Sequence, residues 1–282
     1  MTSPAAPSQM TAGTASDHDR QMIVEVVARL DWIVAESRNA NSRLGYFPAL
    51  YGQVSRQALA AYDAQRFHQP KLAAQLIARF ARRYLDALDA WRAGGDCTEP
   101  WQVAFAAADR WRPTVIQHLL VGINAHINLD LGIAAVETVG DGPLEPLRSD
   151  FDRVNELLFD LIDPVQAALA DVWWMLRLLD WFAAQIDEWL IGTGLIAARR
   201  EAWGFAVDLA SAEPARRSTL IKHRARKVAE IGRRILTPGF IPTTLLLVVR
   251  LGERQNPAGV IDLLSNLERP RARAAEILDL RS

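Results

Sequence analysis

The amino-acid sequence predicts an all-α fold, a single large helical bundle of about ten helices around a central buried helix at residues 113–139. Apolar residues recur at helical spacing in segment after segment, and no segment shows the alternation of a half-buried strand. Half of the 282 residues are hydrophobic, which is enough for a sizeable core. We expect residues 1–15, rich in Ser, Thr, Ala and Pro, to be a disordered tail before one domain at residues 16–282.

Caps, prolines and glycines mark the first predicted helices. A helix with a cap at its start covers residues 16–37, a second covers residues 46–62, and a third covers residues 69–93. A short fourth helix begins at Glu99. We expect the arginines of the third helix to lie on its solvated side, namely Arg79, Arg82 and Arg83.

The central helix combines an almost continuous apolar surface with a set of polar side chains. Pro113 is suited to its first turn, where a missing N–H costs nothing. At 100° per residue the polar groups fall into two stripes. An amide stripe contains Gln117, Asn124 and Asn128, and an imidazole stripe contains His118, His126 and Asp130. Buried polar groups need partners, so these side chains are the main candidates for a functional site.

The next predicted helix is acidic and follows a short turn at residues 140–143. We expect the turn to bring this helix back antiparallel against the central helix. Asp152 and Glu156 are one helical turn apart, as are His126 and Asp130. The two pairs of side chains are therefore expected to face one another.

This pattern predicts a metal-dependent hydrolase that acts on a phosphoester or an ester. The metal ligands would be His126, Asp130 and Asp152, and the catalytic residues would be His118 and Glu156. A divalent ion such as zinc, manganese or iron lowers the pKa of bound water enough for it to attack at neutral pH. The same His–Asp spacing also occurs in hydrogen-bonded pairs that bind no metal.

Two other functions fit the sequence. The first is a metal-free enzyme or binding protein for an apolar, lipid-like or terpenoid-like molecule. Its ligand-binding residues would be four aromatic side chains and two amides: Tyr46, Tyr51, Trp174, Trp181, Asn124 and Asn128. The second is a structural or interaction protein in which His118, Asn124, His126 and Asp130 form a buried polar network that fixes the register of the helices.

Composition limits the partners and the compartment. The formal net charge of −1 gives no global attraction to nucleic acid, and we expect a small-molecule partner. The single cysteine, Cys97, excludes an intramolecular disulfide and a multi-cysteine metal site. The longest uncharged apolar run, residues 235–249, is about 15 residues long and contains two prolines, short of a membrane span. We expect a cytoplasmic protein without a transmembrane segment, and homo-oligomerisation stays open.

A strongly basic helix is predicted after residues 211–214. On it Arg216, His223, Lys227 and Arg234 fall on one face. Such a face is commonly solvated, and it also occurs in helices that contact phosphates or a membrane surface.

The strings YFPALY and QHLLVGINAHINLDL resemble a family of uncharacterised bacterial proteins, a domain of unknown function. A second resemblance is to the all-helical zinc-dependent phospholipase C and P1-type nuclease group, which binds zinc through His-x-x-x-Asp and His-x-x-x-Glu. His126 and Asp130 match the first motif, whereas Asp152 and Glu156 match the second with Asp in place of His. His118 is followed at the fourth position by Gly122 and departs from the pattern. This resemblance implies a metal-assisted hydrolase.

Overall fold

The computed structural model describes residues 8–159, 165, 194–253 and 256–267. Helices are the regular secondary structure of these residues, and no strand occurs among them. The all-α prediction is therefore confirmed. The predicted ligand-binding residues Trp174 and Trp181 lie outside the described residues.

The helices are bounded by short turns and loops. In chain order they are α1 (Ser8–Asn39), α2 (Tyr46–Asp63), α3 (Pro70–Arg92), α4 (Glu99–Ala108), α5 (Val115–Ala125), α6 (Leu131–Val139), α7 (Arg148–Phe159), α8 (Gly194–Ser211), α9 (Pro214–Leu236), α10 (Phe240–Gly252) and α11 (Pro257–Ser265). A π-helical turn, His126–Asp130, joins α5 to α6, so that Val115–Val139 is one continuous helix, here called the central helix. Single 3-10 turns precede α2 and α7.

Helix α1 is longer than the sequence suggests, because it begins at Ser8 and not at the predicted cap, Ser16. Residues 8–15 are helical where we expected a disordered tail. Once a helix is nucleated, each further residue adds one backbone hydrogen bond. The segment contains no proline that would stop this extension.

The central helix begins two residues later than predicted. Thr114 is its N-cap and accepts a hydrogen bond from the Gln117 backbone N–H, while the Gln117 side chain accepts one from the Thr114 N–H. This reciprocal arrangement is a capping box, and it satisfies donors that the first turn otherwise leaves unpaired. Pro113 therefore precedes the cap and is not part of the first turn.

The central helix lies in the middle of the fold, where α2, α3, α4, α8 and α9 pack around it. By length and composition it could cross a membrane. The window that meets this test is 83% buried inside the fold, so protein surrounds it. A buried core helix passes the same test, and the polar groups of this one must find their partners inside the protein.

Two glycines allow other helices to approach the central helix closely. A Cβ atom at Gly122 would lie 2.6 Å from Cδ2 of Phe47 on α2. A Cβ at Gly132 would lie 2.8 Å from Cδ1 of Phe205 and 2.9 Å from the Ala202 carbonyl oxygen on α8. Any larger residue would push these helices apart, because buried side chains have little room to shift.

We had expected helix α7 to return antiparallel along the central helix, but it does not. It packs mainly against α2 and α3. The buried carboxylate of Asp150 accepts hydrogen bonds from the backbone N–H groups of His68 and Gln69, each at 2.7 Å. These bonds hold α7 at the N-terminus of α3, where backbone donors and the helix dipole favour a negative charge.

Candidate functional site

The amide stripe of the central helix faces α9. The Gln117 side chain donates to the Ile235 carbonyl at 2.7 Å, and the Asn124 side chain donates to the Val228 carbonyl at 2.9 Å. At the next position the bond runs the other way, because Arg224 donates to the Asn128 carbonyl at 2.8 Å. Asn128 in turn donates its amide to the Asn124 side chain at 2.9 Å.

These contacts share one register. From Gln117 to Asn124 to Asn128 the chain advances by seven and then four residues, and the partners on α9 fall by the same steps. The two helices therefore run antiparallel, and these hydrogen bonds join them at intervals of about two turns and one turn. Asn124 and Asn128, predicted to orient a ligand, have protein partners that hold α9 in place.

The imidazole stripe contains a buried carboxylate with three partners. Oδ2 of Asp130 accepts a hydrogen bond from Trp101 Nε1 at 2.8 Å and lies 3.2 Å from His126 Nδ1. Oδ1 accepts one from Arg83 Nε at 3.4 Å. Asp130 and His126 are almost completely buried, whereas the Arg83 side chain is 24% exposed. Arg83 thus connects the buried carboxylate to the surface. We had expected it on the solvated side of α3, but it is only partly exposed.

Aromatic side chains surround His126. Its ring stacks on Phe80 with 3.6 Å between ring centroids and meets the Tyr51 ring edge-on at 4.6 Å. The rest of this aromatic cluster consists of Phe47, Tyr84 and Trp101. Burial lowers the pKa of His126, against the opposing effect of Asp130, so the ring is neutral. With Nδ1–H directed at Asp130, Nε2 is left as an acceptor with no hydrogen-bond partner in the described part of the chain.

The π-helical turn, His126–Asp130, contains both members of this pair. The wider turn shifts the side chains that follow it relative to a regular α-helix. It also frees a backbone carbonyl, and the Arg224 guanidinium binds the carbonyl of Asn128 within the same turn. Such turns are often found at functional sites, and here most of the polar groups that it presents have partners within the protein, the exception among the described residues being Nε2 of His126.

His118 belongs to a separate cluster at the N-terminal end of the central helix. Its ring meets Tyr46 edge-on, with 5.6 Å between centroids. Burial, together with Arg43, Arg250 and Arg110, lowers the pKa of His118 to about 3.

Glu253 is the carboxylate of this cluster. Its side chain is 4% exposed, and it accepts hydrogen bonds from the Val115 backbone N–H at 3.0 Å and from Arg250 at 2.8 Å. Burial raises the pKa of Glu253 to about 7. Sequence reasoning missed Glu253 because its role depends on the return of the chain between α10 and α11 to the start of the central helix.

The remaining predicted metal and catalytic residues lie on α7. Arg148 binds Asp152 at 3.0 Å, and Arg153 binds Glu156 at 2.7 Å. Both carboxylates line a shallow pocket with His68. Because α7 packs on α2 and α3, the structure does not bring them together with the imidazole stripe. Within the described ranges, no group of three or more His, Cys, Asp or Glu side chains could hold a metal ion.

A groove of about 770 Å³ runs along α3 near the imidazole stripe and is here called the α3 groove. Arg79 and Arg82 line it, are exposed, and have no ion pair or hydrogen bond with any described residue. Arg83 lines it as well and is held between Asp130 and Glu137, the latter at 3.3 Å. One wall of the groove is therefore a row of three guanidinium groups.

The other groove residues are small apolar side chains and acids. Met22 of α1 and alanines of α3 give it an apolar surface, and Asp86 and Asp96 lie beside the arginines. Cys97, partly buried at one end, has a raised pKa because of burial and the nearby Asp96. The thiol is therefore protonated near neutral pH and is not an activated nucleophile.

Comparison with known proteins gives one match. No curated protein and no solved structure matches the chain. The model of a family of unknown function, DUF5995, matches residues 23–238, which include the central helix, all of the α3 groove except Met22, and α9. This match confirms the resemblance to an uncharacterised family carried by the YFPALY and QHLLVGINAHINLDL strings. The chain belongs to the family of unknown function DUF5995.

Proposed function

We propose that the chain binds a small anionic molecule with an apolar part in the α3 groove. The observation that supports this most directly is the pair Arg79 and Arg82, exposed in the groove and without a carboxylate partner among the described residues. The groove, about 770 Å³, falls within the roughly 300–1,000 Å³ usual for small-molecule sites.

Arginine suits this role because its planar guanidinium binds a carboxylate or a phosphate through two parallel hydrogen bonds. Arg79 and Arg82 are three residues apart on α3 and therefore project from the same face. Arg83, beside them, is already oriented by Asp130 and Glu137, so binding costs little of its conformational entropy. The three side chains provide a partly pre-formed site for one acidic group.

The acids of the groove narrow the ligand class. Asp86, Asp96 and Glu137 balance the three arginines in formal charge. A polyphosphate would be repelled by these carboxylates, whereas a molecule with one acidic group and a hydrogen-bond donor would match both walls. The apolar surface around Met22 favours a ligand with a hydrocarbon or aromatic part.

The predicted hydrolase stays a prediction from the sequence. His126 and Asp130 are paired with each other, and no third ligand joins them in the part of the chain that the structure describes. The polar side chains of the central helix fit better the structural hypothesis, in which a buried polar network fixes the register of the helices. We infer that this network supports the groove, because Asp130 orients Arg83.

Isothermal titration calorimetry with phenyl phosphate and with benzoate tests the proposal, with benzyl alcohol as the uncharged probe. The variant is Arg79→Ala with Arg82→Ala, and the matched control is Arg66→Ala with Lys71→Ala, which removes two exposed charges outside the groove. We expect the groove variant to bind the anionic probes at least about tenfold more weakly, because charge-assisted hydrogen bonds contribute about 1.5–3 kcal/mol each.

The control variant is expected to bind like the parent, and benzyl alcohol is expected to bind more weakly than either anion. Equal losses in both variants would show that the probes respond to overall charge and not to this groove. No measurable binding of either anion to the parent would contradict the proposal.

A further inference from the structure

Helix α9 carries four exposed cations spread over roughly 140° of its outer surface, at 100° per residue. Arg216, Lys222, Arg226 and Lys227 are exposed, and none of their side chains has an ion pair or hydrogen bond with another described residue. His223 is exposed among them. The helix is 23 residues long, which corresponds to roughly 34 Å at 1.5 Å per residue.

Helix α9 carries a local excess of positive charge. Its sequence has eight Arg and Lys residues and one acid, Glu230, whereas the whole chain has a net charge of −1. Four of the eight are engaged within the protein. Arg217 and Arg224 bind backbone carbonyls, and Arg233 and Arg234 pair with Glu99 and Glu230. The other four therefore form an unneutralised positive surface.

The opposite side of α9 fixes the helix to the protein. Val228, Ala229 and Gly232 are buried, and the helix packs against α4 and α5. The hydrogen bonds of the amide stripe hold it in register with the central helix. The cations are therefore presented on a rigid outer ridge of the fold, where a partner can approach without any rearrangement.

We propose that this face of α9 docks on an anionic lipid surface. Exposed cations on one side of a helix are attracted by the negative potential of a membrane that contains anionic lipids. Ile231 is 39% exposed on the same helix, next to Lys227 in the helical repeat, and can enter the headgroup region beside it. The rest of the helix stays packed in the protein, so the interaction is peripheral.

The composition of α9 disfavours nucleic acid as the occupant. Base edges are read mainly by Arg, Asn and Gln in the major groove, and unpaired bases stack on aromatic side chains. Of these residue types α9 contains Arg, but it contains no Asn, Gln, Phe, Tyr or Trp. Attraction to phosphates without base recognition fits a lipid surface, where the phosphates belong to interchangeable headgroups.

Co-sedimentation with phosphatidylcholine vesicles, with and without phosphatidylserine, tests the proposal on the full chain. We expect binding only to the vesicles that contain phosphatidylserine, and loss of binding at high salt. The variant Arg226→Gln with Lys227→Gln is expected to bind roughly 30-fold more weakly, because each cation near the surface adds about fivefold. The control Arg66→Gln with Lys71→Gln removes two exposed cations outside α9 and is expected to bind like the parent.

Three outcomes would overturn the proposal. The parent could fail to sediment with the phosphatidylserine vesicles, or the control could lose as much binding as the α9 variant. The parent could also bind duplex DNA more tightly than the vesicles in a salt-matched competition. Circular dichroism of each variant verifies the fold. All four substituted residues are exposed, and Gln is a good helix former. The result is independent of the α3 groove, which contains none of these residues.

Discussion

The two polar stripes of the central helix satisfy the same physical requirement in different ways. On the amide side, the neutral side chains of Gln117 and Asn124 donate to backbone carbonyls of α9. On the imidazole side, the carboxylate of Asp130 gathers Trp101, His126 and Arg83, so a buried charge is neutralised by a guanidinium at the surface. One side fixes helix register, and the other joins the core to the α3 groove.

The difference shows how the environment decides the role of a buried polar residue. A neutral amide needs only a hydrogen-bond partner, which any backbone carbonyl provides. A buried carboxylate also needs a compensating charge, and the nearest one is Arg83, on the groove wall. Loss of a partner should therefore cost much more on the imidazole side than on the amide side.

The largest effect is expected for Asp130→Ala. The substitution leaves the buried donors Trp101 Nε1 and His126 Nδ1 without an acceptor, at a cost of about 1–3 kcal/mol each, and removes one of the two acids that bind Arg83. Urea unfolding, followed by circular dichroism, measures the loss. The control Asp86→Ala removes an exposed acid of α3 and is expected to change the free energy of unfolding by less than about 0.5 kcal/mol. A loss for Asp130→Ala no larger than the control would show that the network does not stabilise the fold.

A smaller effect is expected for Asn124→Ala on the amide side. The variant loses the hydrogen bond to the Val228 carbonyl and leaves the Asn128 amide without its acceptor, at a cost of about 1–2 kcal/mol in the free energy of unfolding. Asn266→Ala is the control, because it removes an exposed hydrogen bond from the Asn266 side-chain amide to the Asp262 carbonyl. If Asn124→Ala cost as much as Asp130→Ala, the distinction between the two stripes would fail.

The last expected effect is a dependence on pH, and it appears only under acidic conditions. The pKa of His118 in the folded protein is about 3, against an ordinary value of 6.5. The stability that its burial provides is therefore fully present above 6.5 and is lost as the pH falls towards 3. The advantage of the parent over His118→Gln should shrink over this range, as measured by urea unfolding at several pH values.

Glu253 does not disturb this comparison. Its raised pKa acts in the opposite direction, since the stability linked to it is lost as the pH rises from 4.5 through about 7. The residue is present in both proteins, so to a first approximation its contribution cancels in the difference. The deficit of Asn124→Ala should not change with pH, because no titrating group forms its hydrogen bond. A parent–variant difference for His118→Gln that stays constant on acidification would contradict the assigned burial.

Much of the fold could be predicted from local patterns. The bounds of α2 and α3 and the start of α9 agree with the predicted helices to within a few residues, because apolar spacing, Pro70, Pro214 and the glycines after α3 act locally. The site was harder to predict. The spacing of His126 and Asp130 indicated that they interact, but the pattern is the same for a metal site and for a hydrogen-bonded pair.

The partners of these residues come from distant parts of the chain. Trp101 and Arg83 reach Asp130 from α4 and α3, and Arg83 carried no signal other than its position beside the buried residues Phe80 and Tyr84. The placement of α7 depended on the capping bonds of Asp150, which no periodicity reveals. These are contacts between residues far apart in sequence, and their formation depends on how the helices pack.

The sequence by itself determined that the chain is helical, which helix is central, and that this helix carries two polar stripes. Those properties follow from the 3.6-residue period and from the composition of each segment. The tertiary structure alone decided what each stripe does, because it placed backbone carbonyls of α9 beside one stripe and the guanidinium of Arg83 beside the other. A side chain's chemistry sets what it requires, and the packing of distant helices sets which group meets that requirement.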